Sequence, residues 1–198
     1  NHATPAAFYA HQASRNSYYD IAKELVDSNF DYFAGGALLD PTGEKEDQTD
    51  AYKLAEDAGY KVIKTQEEVK KLKAEDGKSL VIAEHLADAD AMSYDLDAVK
   101  DELSLKDYVQ KGIDVLNNDT GFFMMVEGGK IDWACHANDA GSAINDTEAL
   151  SDSVEAAVEF YKKHPDDTLI LVTGDHETGG LTIGYAGTDY DTYLTNLT

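Results

Sequence analysis

The sequence predicts an α/β fold, a largely parallel central sheet flanked by helices, as a single domain over residues 1–198. Three observations carry that expectation. Strand-like runs alternate with helix-like stretches, the order that βα units produce and that lays strands parallel. Two of those runs, Gly121–Val126 and Thr168–Val172, are almost continuously apolar, as strands covered on both faces are. Each is followed at once by acidic and imidazole residues, and open α/β sheets place their ligand sites beyond the C-terminal ends of strands.

Residues Ala6 to Phe30 read as a helix, with Ile21, Leu25 and Val26 on one face, leading into Asp31–Ala34 and a Gly35-Gly36 turn. The polar, turn-rich stretch Leu39–Asp50 reads as a surface excursion, and residues from about 37 to 103 as a surface insert. Within them a short helix (Ala51–Ala58) precedes a strand (Tyr60–Lys64), and Thr65-Gln-Glu-Glu68 has the capping-box pattern that opens a helix. Ser79–Ala83 is a further strand candidate, whereas Glu84–Asp101 is weakly patterned. A helix over Ser104–Leu116 feeds the Phe122–Val126 strand, and a long helix from Ala140 to Lys162 feeds the Leu169–Val172 strand. The tail from Tyr185 to Thr198 is polar and without pattern.

Composition narrows the function. The chain carries 39 Asp and Glu against 16 Lys and Arg, a formal net charge of −23. That surface repels nucleic-acid backbones and anionic membranes at long range, which argues against a nucleic-acid-coating role. It also repels phosphate compounds, which would need local positive charge to be captured. No run approaches the ~20 apolar residues of a membrane helix. A single cysteine, Cys135, rules out an internal disulfide.

The residues after the two apolar runs suit a divalent metal, zinc first, because carboxylates and neutral imidazoles are its ligands. Asp132 and His136 stand at i, i+4, so a helix there puts both on one face. Glu127, five residues earlier, can serve a second ion, and Asp175 and His176 can converge on a metal if the chain turns there. The competing reading has these acids capping helices and the histidines packing as satisfied polar groups. At the N-terminus Thr4 reads as the N-cap of a helix with Pro5 in its first turn, and Arg15 has the planar fork that holds an oxyanion.

The segments His2-Ala-Thr4-Pro5…Ser14-Arg15, Val126-Glu127-Gly128-Gly129-Lys130-Ile131-Asp132…His136 and Val172-Thr173-Gly174-Asp175-His176-Glu177-Thr178-Gly179-Gly180 together resemble the alkaline phosphatases, in the family's order and over essentially the whole chain. The resemblance implies a metal-dependent phosphate monoester hydrolase with two zinc ions and one magnesium. Asp132 and His136 match ligands of the first zinc, Asp175 and His176 those of the second, and Thr4 and Glu127 those of the magnesium. Arg15 matches the arginine that clamps the substrate phosphate. His2 and Trp133 fall at positions where members differ and which tune metal preference and phosphate release. A homodimer and a periplasmic or secreted location are further expectations of the resemblance.

The family's serine nucleophile and a bridging aspartate lie upstream of the threonine motif, and a third zinc histidine lies well downstream of the Asp-His pair. The chain is therefore expected to be a fragment, inactive alone, with Asp152-Ser153 a mid-helix decoy. The alternatives are another member of the same metal-hydrolase superfamily, such as a phosphodiesterase, sulfatase or mutase, or a non-catalytic metal-binding domain.

Overall fold

The computed structural model describes residues 1–180. Its sheet is a small one: β1 (Tyr32–Gly35), β2 (Lys61–Ile63) and β3 (Ser79–Ile82), all parallel, in the order β1-β3-β2. Tyr32 pairs with Ser79 and Gly35 with Ile82, while Lys61 also pairs with Ser79 and Ile63 with Val81. The helices are α1 (Ala3–Ala6), α2 (Tyr18–Ser28), α3 (Ala51–Asp57), α4 (Gln66–Lys71), α5 (Leu105–Leu116), α6 (Gly129–His136) and α7 (Ala140–Lys163).

Strand β3 is buried at every position, as a parallel strand covered on both faces must be. Leu80 and Ile82 face one way, into a cluster with Ala22 and Leu25 of α2 and Ala51 and Ala55 of α3. Val81 and the following Ala83 face the other way, toward Ile63, Val69, Leu72, Leu103 and Tyr108. The stretch expected as a surface insert thus supplies two of the three strands. A third cluster joins α5 to α7 through Val109, Ile113 and Ala156.

Caps fix several boundaries. The Thr65 hydroxyl accepts the Glu68 backbone N–H at 3.3 Å and donates to the Glu68 carboxylate at 2.7 Å, so the two residues of the expected box do engage. Ser104 and Asp107 form a complete capping box at the head of α5, and Asp139 caps α7 through the Ser142 N–H at 3.0 Å.

Two expectations change. The helix read from Ala6 to Phe30 is interrupted: α1 ends at Ala6 and α2 begins at Tyr18. Between them Ser14 accepts the Asn16 N–H and Asn16 accepts the Tyr18 hydroxyl, local side-chain bonds that offer the backbone an alternative to helix. The Phe122–Val126 and Leu169–Val172 runs are not strands among the described residues, because neither has a ladder partner there. The first still shows period two, with Phe122, Met124 and Val126 packed on the α5–α7 cluster and Phe123 turned out at 69% exposure. Leu169 and Leu171 are 81% and 80% exposed, which overturns the reading of a buried strand. No described helix is long and apolar enough to cross a membrane. The polar tail falls outside the described residues.

Candidate metal centre

Helix α6 presents the first pair. Its inner face, Lys130 and Ala134, is buried against α7, which leaves Asp132 and His136 one turn apart on the open side. The His136 Nε2 lies 3.6 Å from Asp132 Oδ1. The second pair sits in the loop after residue 173, where His176 Nε2 is 3.5 Å from Asp175 Oδ2. Both separations are close to the edge of a tetrahedron with ~2.0–2.1 Å bonds, about 3.3 Å, so each pair is spaced as two ligands of one zinc would be.

A residue the sequence reading did not select ties the pairs together. The Thr178 hydroxyl donates to Asp132 Oδ1 at 2.5 Å and lies 3.1 Å from His176 Nδ1. His176 Nδ1 is also 3.0 Å from the Glu177 carbonyl oxygen. With the proton on Nδ1, both oxygens can accept it, and Nε2 keeps its lone pair toward Asp175. The Glu177 carbonyl and the neighbouring Asp175 raise the His176 pKa. Only the three-dimensional path of the loop reveals Thr178, since the sequence places it 46 residues from Asp132.

The N-terminal segment closes the group. Thr4 lies within α1, whose N-cap position is His2, so Thr4 is not the cap its sequence suggested. Its hydroxyl instead reaches Asp175 Oδ2 at 3.2 Å. Thr4 also lies near Glu127, whose carboxyl pKa is raised, by burial first and then by Asp175 and Asp132. The Asp175 carboxyl is held below the usual range, chiefly by its own backbone N–H, with His176 and Thr4 adding to it. Arg15 is exposed, with Nη2 3.3 Å from His2 Nε2, and burial and Arg15 both lower the His2 pKa. The Trp133 ring lies against the Lys130 ammonium, 4.3 Å from its centre.

Thr4, Glu127, Asp132, His136, Asp175 and His176 are therefore linked in one neighbourhood, with Arg15 and His2 joined to it through α1. Among the described residues, however, no three of the His, Cys, Asp and Glu side chains converge tightly enough to hold an ion. The donor types and pair spacings fit zinc and magnesium, and each Asp-His pair could supply two ligands to one ion. The Ser153 hydroxyl is buried and donates to the Ala149 carbonyl at 2.9 Å, consistent with its being a decoy.

The alkaline phosphatase family profile matches residues 1–197. Alkaline phosphatases 4 and 3 of Bacillus subtilis are 38% and 37% identical, each over 94% of this chain and 40% of their own length. The chain thus spans about two fifths of the curated relatives it matches. Among solved structures, the cold-active alkaline phosphatase of a psychrophilic Shewanella superposes with a TM-score of 0.77 at 33% identity, covering 94% of this chain and 44% of that one. A variant of the alkaline phosphatase from the Antarctic bacterium TAB5, solved with Mg bound, gives 0.70 at 30% identity, over 82% of this chain and 45% of that one. With the motifs, the small parallel sheet and these matches in agreement, the chain belongs to the alkaline phosphatase family.

Proposed function

We propose that this chain carries the metal-holding part of a phosphate monoester hydrolase. The observation that supports it best is the linkage of Asp132, His176, Asp175 and Thr4 by short side-chain contacts, although they come from three separated segments. Asp132 and His136 would hold one zinc, Asp175 and His176 a second, and Thr4 and Glu127 a magnesium. Bound there, the ions would supply the positive charge that a phosphoryl transition state needs and that the acidic chain lacks. Arg15 would bind two phosphate oxygens through its fork, aligned by its contact with His2. Thr178 would hold the Asp132 carboxylate and the His176 ring in the orientations that metal binding requires.

No serine among the described residues hydrogen-bonds any of these candidate ligands, so the 198-residue chain should turn over negligibly. The test compares zinc- and magnesium-dependent hydrolysis of an aryl phosphate by this chain and by a longer polypeptide matching its relatives. Expected are metal-dependent turnover in the longer protein and loss of several orders of magnitude in the short one. Turnover in the longer protein that survives chelation, or an Asp132→Asn substitution, would refute the assignment.

A further inference from the structure

We propose that Lys130 is a positioning residue for the metal centre, acting by fixing the rotation of α6. The proposal rests on the reading of Asp132 and His136 as zinc ligands. Lys130 is only 9% exposed as a residue, unusual burial for a lysine. Its Nζ lies 4.2 Å from the centre of the Tyr94 ring and 4.3 Å from that of Trp133. Two ring faces thus grip one cation, and Asp146, Asp88 and Asp97 supply the negative charge around it. Three separate elements meet at this point. Lys130 and Trp133 belong to α6, Asp146 to α7, and Tyr94 to the loop leading into the turn Asp95–Asp97.

Helix α6 needs such an anchor. It has eight residues and no side-chain cap hydrogen bond, too little to set its own orientation. Asp132 stands two residues beyond Lys130. A carboxylate ~6 Å from the helix axis moves roughly 1.5 Å for a ~15° rotation, well beyond the ~0.2 Å tolerance of metal–ligand distances. The clamp on Lys130 resists that rotation, because turning the helix, which carries Trp133 with it, would drag the ammonium off the Tyr94 ring and away from Asp146 of α7.

The experiment measures zinc affinity by competition with a chromophoric chelator, alongside thermal unfolding, in the longer protein. Lys130→Met keeps the buried stem but loses the charge and should weaken zinc about tenfold, the lower end for partners behind a ligand. Lys130→Arg, whose guanidinium can lie on both rings, should recover affinity to within about threefold. Tyr94→Leu, outside α6, should reproduce the Lys130→Met loss and covers the case in which Lys130→Met fails to fold. Lys106→Met, at an exposed pair with Glu155, should leave zinc affinity unchanged. A lowered Tm with zinc affinity intact in Lys130→Met or Tyr94→Leu would overturn the proposal, as would an equal loss in Lys130→Arg and Lys130→Met. A wild-type protein that takes up no zinc would instead refute the metal-site reading beneath it.

Discussion

Replacing Gly179 by alanine should separate the two halves of the metal centre. Gly179 has φ +73°, and a Cβ built there would stand 2.4 Å from the Cys135 carbonyl oxygen and 3.1 Å from its carbon. Both atoms are backbone of α6, so no flexible side chain can give way. The left-handed conformation alone costs alanine about 1 kcal/mol relative to glycine. Relieving the contact needs a shift of several tenths of an ångström in the loop that carries Asp175, His176 and Thr178, adding about 1–2 kcal/mol. Gly180 is an internal control: its φ is +66°, yet among the described residues a Cβ there would meet nothing within 4 Å. Zinc competition titrations should therefore show Gly180→Ala weakened about fivefold and Gly179→Ala about 30- to 150-fold. Equal losses in the two variants would refute the reasoning, since only the strain they share would then be at work.

Two further outcomes follow from the same geometry. Burial pushes the Asp146 carboxyl from 3.8 up to about 6, so the folded state holds its proton more tightly than the unfolded chain does. This contribution is fully present below pH 3.8 and is lost as the pH rises through about 6. Asp146→Asn should accordingly raise stability at pH 8 by about 1–3 kcal/mol and leave it unchanged near pH 3.5, and urea unfolding showing one difference at both pH values would contradict this. Arg15→Ala in the longer protein should lower kcat/KM for an aryl phosphate by about 1.5–3 kcal/mol and weaken inhibition by phosphate, with Arg15→Lys only partly restoring both; wild-type kinetics in Arg15→Ala would make it a surface residue.

The local elements were legible because their signals are local. The capping box read at Thr65 and Glu68 satisfies a backbone N–H within three residues, and the structure uses it. Ser104 with Asp107 and Asp139 before α7, which the sequence reading did not select, cap their helices in the same local way. The helix drawn through residues 10–17 failed for the converse reason, since its apolar spacing was outvoted by Ser14 and Asn16 bonding their own neighbourhood. Candidate ligands were legible as residue types at a spacing: Asp132 and His136 need only a helix to share a face, and α6 provides it.

What the sequence by itself determined was the alternation of elements, the Thr65 cap, an acidic charge that repels other polyanions, and the residue types suited to a metal. Strand pairing was decided only by the tertiary structure. An apolar run of five or six residues states that it can be covered, not by what, so Ser79–Ile82 became the central strand while Leu169–Val172 found no ladder partner among the described residues. Thr178 between Asp132 and His176, and the Lys130 ammonium between Tyr94 and Trp133, join residues far apart in the chain. A hydroxyl or an ammonium has the same letter whether it faces water or locks two segments together. That choice belongs to the packing of the loop and of α6, which no local pattern encodes.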